Sequence, residues 1–184
     1  MVKQRRCTQS AWPTGIALVE LLLYTLLLAL LAAATLPSLS ALLAKRRIEH
    51  SAQELGEALR YARLQAMMSG VAVRFSLTTD DGGRCYLVHT GGPSDCHCKA
   101  GAAPCQAGRV LLRKGRLSNG AALSLSANVQ SVSFDPDTGY ATPAASFSLI
   151  NTSNAQGLRQ VLSLPGRLRL CRLGTIHRQY PACE

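Results

Sequence analysis

The sequence has few of the side chains on which enzymes rely. Its 184 residues include 10 aspartates and glutamates against 20 lysines and arginines. No two carboxylates form a spaced pair suited to acid–base work, and the four histidines are scattered. No nucleophile with a base and an acid beside it is visible, and no phosphate-binding loop of the Walker type is present. We therefore expect a protein that is not an enzyme, with no catalytic residue, no cofactor and no metal.

The N-terminus also lacks the small-residue cleavage site that follows the apolar core of an ordinary secretory signal. Instead, Lys3, Arg5 and Arg6 precede an apolar run at 16–36 whose only charged residue is Glu20. As a helix this run is about 30 Å long, enough to cross a bilayer. A carboxylate buried there costs about 2.5–3.5 kcal/mol on insertion scales, so Glu20 requires a specific reason for its position.

The spacing of Gly15, Ile16, Glu20 and Pro37 resembles the type III signal of type IV pilins and pseudopilins. That resemblance implies that a prepilin peptidase cuts after Gly15 and methylates the new N-terminus at Ile16. It also implies that Glu20, at the fifth mature position, pairs with the N-terminus of a neighbouring subunit during assembly. Ile16 departs from the family, which usually has phenylalanine or methionine there. The alternative is a plain membrane anchor with an accidental glutamate.

The charge distribution predicts the orientation in the membrane. Positive charge keeps residues 1–15 in the cytoplasm and sends the C-terminal domain outward. We expect a single-pass inner-membrane protein with its C-terminal domain in the periplasm, which moves into a pilus or pseudopilus on assembly. The basic residues at 45–47 follow the apolar run and are interpreted as contacts with lipid headgroups.

Hydrophobic periodicity divides the chain into four parts. Residues 1–15 form the leader peptide, 16–36 the transmembrane helix segment, 37–70 its amphipathic continuation and 71–184 a β-rich domain. The amphipathic part repeats apolar residues every three or four positions, and the β-rich part alternates with a period of two. The pilin resemblance implies an α+β fold, in which a long N-terminal helix packs on a C-terminal antiparallel sheet or sandwich.

Short runs of apolar residues bounded by turn signals predict eight strands in the last part. They lie at 71–77, 84–89, 110–114, 122–126, 131–134, 146–150, 159–163 and 167–171. A strong turn signal at 135–139 separates two of them.

The cysteines agree with export to an oxidising compartment. Cys7 lies in the leader, which leaves an even number in the mature chain: Cys85, Cys96, Cys98, Cys105, Cys171 and Cys183. We expect Cys171 to pair with Cys183 and the other four to pair among themselves. A zinc site formed by Cys96, His97, Cys98 and Cys105 in a periplasmic zinc-binding domain is the competing interpretation, although the C-x-C spacing is tighter than usual.

Within the pilin-like proteins, the β-rich part resembles the GspH/FimT group. The resemblance rests on the segments at 131–139, 147–149 and 160–169. In particular, Gly166, Arg167 and Arg169 match the GRxR motif of FimT-type minor pilins that bind DNA during natural transformation.

The C-terminal arginines extend this motif. Arg167 and Arg169 are two apart, so on a strand they project from one face. Arg172 and Arg178 lie where a Cys171–Cys183 disulfide would hold them. A second basic cluster lies at 109–116. Because an arginine fork suits phosphate oxygens, we interpret the C-terminal set as a contact for double-stranded DNA. A solvated basic strand that serves solubility or packing in the pilus is the alternative.

These observations predict a FimT-like minor pilin that binds DNA non-specifically for uptake. Its expected partners are other pilins or pseudopilins, the prepilin peptidase, DNA and the inner membrane. The alternative is a GspH-like minor pseudopilin, a structural subunit of a type II protein secretion system.

Overall fold

The computed structural model describes residues 14–80, 83–99, 102–117 and 123–183. The predicted leader therefore lies almost entirely outside the described residues. Within them the chain forms one helix and nine strands. Their bounds are α1 (Thr14–Ser69), β1 (Val73–Asp80), β2 (Gly83–Thr90), β3 (Leu111–Arg116), β4 (Leu123–Ala127), β5 (Ser131–Phe134), β6 (Ala141–Thr142), β7 (Ala145–Asn151), β8 (Gly157–Leu162) and β9 (Leu168–Leu173).

The chain divides into two compact units, one ending at Leu42 and the other comprising Leu43–Glu184. In the first unit α1 is long and apolar enough to cross a membrane. Its large apolar side chains from Leu18 to Leu31 are exposed. A helix that is apolar on all sides requires lipid or other apolar helices around it, which fits a transmembrane segment.

The second unit contains two antiparallel sheets. The first has the strand order β3-β2-β1-β5-β6 and the second has the order β4-β7-β8-β9. Strand β9 is therefore an edge strand of the second sheet, paired with β8 on one side. Most of the C-terminal arginines lie on this edge or beside it.

The core of this unit joins the second half of α1 to both sheets. Ala52, Leu55, Leu59 and Ala62 recur at helical spacing and are completely buried. Between the sheets, the ring of Phe75 on β1 meets that of Phe147 on β7 edge to face, with centroids 5.7 Å apart. Burying each large apolar side chain contributes about 1.5–3 kcal/mol, so this core supplies the main stabilisation of the unit.

The α+β, pilin-like fold expected from the sequence is confirmed. Each of the eight predicted strands overlaps a strand of the structure. The short β6 was not predicted, because two residues are too few to show a period. Strand β9 begins one residue later than predicted, at Leu168, so Arg167 lies in the preceding turn and not on the strand.

Three disulfides link the six cysteines of the second unit. Cys171 pairs with Cys183, as expected, and the other pairs are Cys85–Cys98 and Cys96–Cys105. The zinc interpretation is therefore wrong in this structure, because the sulfurs of Cys96, Cys98 and Cys105 are all bound to other sulfurs. The first two disulfides hold the segment between β2 and β3, and the third holds the chain after β9.

Candidate nucleic-acid interface

The C-terminal tail after β9 folds back along the edge of the second sheet. The backbone N–H of Arg172 donates to the carbonyl of Pro181 at 2.8 Å, and the N–H of Cys183 donates to the carbonyl of Arg172 at 3.2 Å. Together with the Cys171–Cys183 disulfide, these bonds fasten the tail to the strand. The basic tail is thus an ordered part of the sheet edge.

Strand pairing places two arginines on the same face of the second sheet. Arg169 lies opposite Val161, and Cys171 lies opposite Arg159, so Arg159 and Arg169 share a face. Both line a depression of about 670 Å³ beside the disulfide and the tail. Arg159 is held in place because its Nε donates to Oγ of Ser148 at 2.9 Å.

Arg167 occupies a different place from Arg169. It lies in the exposed turn between β8 and β9 and lines a second depression, between this turn and α1. The register of β8 and β9 extends to Arg167, because the N–H of Ser163 donates to its carbonyl at 3.0 Å, but Arg167 lines a different depression from Arg169. The two arginines of the motif face different surroundings.

Gly166 of the same motif is buried and shapes the turn. Its φ is 76°, a conformation that favours glycine. A Cβ here would lie 2.6 Å from the carbonyl oxygen of Gly139 and 2.8 Å from Nε of Arg63. Nη1 of Arg63 donates to the Gly166 carbonyl at 3.3 Å. The structural requirement for glycine at this position is independent of any ligand.

The other two predicted arginines lie further along the tail. Arg172 is partly buried, with Nη1 donating to the carbonyl of Gly174 at 3.0 Å. Its Nε is buried without a hydrogen-bond partner in the described part of the chain. Arg178 is exposed in the loop that the Cys171–Cys183 disulfide closes.

The five predicted DNA-binding residues, which extend from Gly166 to Arg178, form a row along the sheet edge and not a compact patch. One end is at Gly166, which bonds Arg63 of α1, and the other is at His177, which contacts Glu49 of α1. At about 1.5 Å per residue these two levels of the helix are about 21 Å apart. Arg167 and Arg178 lie next to opposite ends of this row.

Glu49 anchors the tail, and the sequence analysis did not single it out. Its Oε1 accepts a hydrogen bond from Nε2 of Gln179 at 2.6 Å and lies 3.3 Å from Nδ1 of His177. Burial alone would raise the pKa of Glu49, but the bonds from Gln179 and His177 and the charges of Lys45 and Arg46 outweigh it, so the pKa lies below its ordinary value. The sequence did contain a signal for Glu49, because this carboxylate lies three residues before Ala52, which is buried.

The predicted processing and assembly residues lie in the first unit. Gly15 and Ile16 belong to the first turn of α1, and their side chains lie outside the described ones. Glu20 is exposed, and its Oε1 accepts a hydrogen bond from the hydroxyl of Tyr24, one turn later, at 3.1 Å.

The second basic cluster, on and before β3, is separate from the row on β9. Nε of Arg109 forms an ion pair with Asp95 at 2.8 Å. The guanidinium of Arg113 lies over the ring of Tyr61, 5.9 Å from its centroid. These side chains already have partners within the fold, which makes them less available to a ligand.

Comparisons with known proteins agree with this architecture. A family model described as type II transport protein GspH matches residues 51–166. The type IV minor pilin FimU of Pseudomonas aeruginosa is similar in structure, with a TM-score of 0.51 and 21% identity over 69% of this chain and 90% of that chain. The minor pseudopilin EpsH of the Vibrio cholerae type 2 secretion system has a TM-score of 0.47 and 17% identity over 70% of this chain and 99% of that chain. A search of curated proteins found no match.

Proposed function

This chain belongs to the GspH family of pilin-like proteins, and from that premise we propose that it is a FimT-like minor type IV pilin that binds DNA. In this proposal the arginines along β9 and its tail contact phosphates of double-stranded DNA without reading its sequence. The filament then draws the bound DNA towards the cell for natural transformation.

The observation that carries the proposal is a set of exposed arginines with no partner. Arg167, Arg169 and Arg178 are exposed, and none of their side chains has a hydrogen bond or ion pair to the residues that the structure describes. The planar fork of an arginine accommodates two phosphate oxygens. Unpaired arginines in a row therefore suit the phosphate backbone of a DNA strand.

The same surface indicates how the DNA would be held. The one aromatic residue in the tail, Tyr180, is partly buried against the core and offers no stacking platform. Contacts would then be to the backbone, and binding would weaken steeply with salt. A row about 21 Å long spans about six base pairs at 3.4 Å per step.

Assembly in the proposal depends on the first unit. The peptidase cuts between Gly15 and Ile16, methylates Ile16, and leaves an inner-membrane subunit whose C-terminal domain lies in the periplasm. Glu20 then pairs with the N-terminus of a neighbouring pilin. Mass spectrometry of the mature protein tests this step, with an N-methylated Ile16 as the expected first residue. A mature chain that begins elsewhere contradicts it.

DNA binding is tested by fluorescence anisotropy with a duplex and the full chain in a non-ionic detergent. For four phosphate contacts, affinity should fall about 10²-fold between 50 and 200 mM salt. Arg167→Ala with Arg169→Ala should lower the salt slope by about 1.8, or about 0.9 for each lost contact.

The matched control removes the same charge from the first sheet, with Lys114→Ala and Arg116→Ala on β3. This control should keep the salt slope of the unmodified protein. A flat salt dependence of the unmodified chain, or equal affinities of the two double variants, would refute DNA binding through β9.

The second candidate is a minor pseudopilin of a type II secretion system, which the description of the matching family model favours. Deletion of the gene separates the two functions. Loss of transformation with normal protein secretion supports the pilin, and loss of secretion with normal transformation supports the pseudopilin.

A further inference from the structure

A cavity of about 640 Å³ lies between the last turns of α1 and the turn that joins β8 to β9. Three arginines line it, together with three apolar side chains. The arginines are Arg60, Arg63 and Arg167, and the apolar residues are Leu64, Met67 and Leu168. Arg60 and Arg63 are not part of the row on β9, and no part of the proposed function uses them.

The three guanidinium groups have almost no partners. The side chains of Arg60 and Arg167 make no hydrogen bond or ion pair with the residues that the structure describes. Arg63 makes one bond, to the Gly166 carbonyl, and its Nε is buried without a partner in the same described part. Three arginine side chains therefore contribute to one depression with no carboxylate among the lining residues. An anion in the cavity would supply the negative charge that the lining lacks.

Arg63 is held rigidly in this position. A Cβ on Gly139 would lie 2.9 Å from its Nε, and a Cβ on Gly166 would lie 2.8 Å from the same atom. Both glycines have positive φ, so two tight turns pack directly on the guanidinium. Asp135 fixes the turn that contains Gly139, because its Oδ1 accepts a hydrogen bond from the backbone N–H of Thr138 at 2.9 Å. A preorganised arginine loses little freedom when it binds a ligand.

The charge and shape of the cavity select the ligand. A phosphodiester inside a duplex carries one negative charge and lies on a convex surface, whereas a phosphate monoester carries about 1.5 to 2 charges near pH 7. Three arginines in a concave site suit the monoester better. The apolar wall and the volume, which exceeds that of a phosphate, leave room for an attached sugar and base.

We propose that this cavity binds the terminal phosphate of a DNA strand, with Arg60, Arg63 and Arg167 as its ligands. The inference rests on the proposed function, since the row on β9 brings the DNA to this end of the domain. It adds a preference for DNA ends that a row of backbone contacts would not have.

The test compares two duplexes of one sequence, one with phosphates and one with hydroxyls at all its ends. The full chain in detergent should bind the phosphorylated duplex about tenfold more tightly, as expected for one additional charge-assisted contact. Thymidine monophosphate, a free monoester, should compete away this preference. Arg60→Gln should bring the two affinities together, and Lys114→Gln, which removes one charge from β3, should keep them apart.

Thermal unfolding of each variant verifies that it is folded, which is expected because Arg60 is exposed. Equal affinities of the unmodified chain for the two duplexes would overturn the end-binding inference and leave the proposed DNA binding intact. A preference that persists in Arg60→Gln would overturn the assignment of the cavity. No binding of either duplex would overturn both proposals.

Discussion

The amide Nε2 of Gln179 donates a hydrogen bond of 2.6 Å to Oε1 of Glu49, which lies 130 residues earlier in the chain. This bond ties the C-terminal tail to the helix that organises the core. Nδ1 of the completely enclosed His177 meets the same oxygen at 3.3 Å. The carboxylate of Glu49 thus holds the tail beside Arg178, and the Cys171–Cys183 disulfide holds the end of the tail.

Replacing Glu49 should loosen this attachment. In Glu49→Ala, the donors of Gln179 and His177 lose their acceptor, and we expect the free energy of unfolding to fall by about 1–3 kcal/mol. Urea denaturation near neutral pH measures the loss. Glu57→Ala removes an exposed carboxylate from the same helix and should change stability by less than about 0.5 kcal/mol. Equal losses in both variants would contradict the role of Glu49.

The buried His89 should make the stability depend on pH. Burial lowers its pKa below the ordinary value of 6.5, with Arg74 acting in the same direction, although the Thr90 carbonyl and Asp95 oppose the shift. The neutral ring is satisfied by the Ser76 hydroxyl at 3.0 Å and the Thr90 carbonyl at 3.1 Å.

Below pH 6.5 the unfolded chain therefore takes up a proton that the folded chain does not. The free energy of unfolding should be constant above this value and should decrease as pH falls towards the folded-state pKa. Denaturation curves between about pH 8 and about pH 5 measure the slope. His89→Gln should flatten it, and an unchanged slope would assign the effect to another group.

The disulfide of the tail should stabilise the domain mainly through the unfolded state. Cys171→Ser with Cys183→Ser opens a loop with a sequence separation of 12, and we expect a loss of about 2–4 kcal/mol. Because Arg178 is exposed, trypsin should also cut there faster in this double variant. Cleavage at the rate of the unmodified protein would mean that the hydrogen bonds of the tail order it without the disulfide.

Gly166→Ala should test the packing of the turn against Arg63. The added Cβ would combine an unfavourable positive φ with a contact to the Gly139 carbonyl, and the expected loss is about 2–5 kcal/mol. Gly108→Ala is the matched control, because its φ of 79° is similar but nothing lies within 4 Å of its Cβ position. The control should lose only about 1–2 kcal/mol. Similar losses at both sites would show that the backbone conformation alone requires glycine.

Much of the fold was accessible from local patterns. The apolar run before Pro37 and the helical spacing from Ile48 onward both lie on α1, and the alternation after Gly70 marks β1. Such patterns are local because a helix or strand exposes the same face at a fixed interval. The pairing of Cys171 with Cys183 was also predicted, since only 12 residues separate them.

The site was less accessible. The GRxR spacing suggested one strand face for Arg167 and Arg169, and it could not show that Arg167 lines a depression beside α1 while Arg169 lines another. The sequence did not indicate Arg60 and Arg63 as site residues, because an arginine on the polar face of an amphipathic helix is ordinary.

By itself, the sequence determined the long apolar helix, the change to strands after it, the even set of cysteines and the excess of arginine near the C-terminus. Only the tertiary structure decided which of those arginines share a surface and which residues hold the tail. The physical reason is that these contacts join positions 103 to 130 residues apart, as in Arg63 with Gly166 and Glu49 with Gln179. The packing of α1 against the second sheet brings them together, and no local periodicity records it.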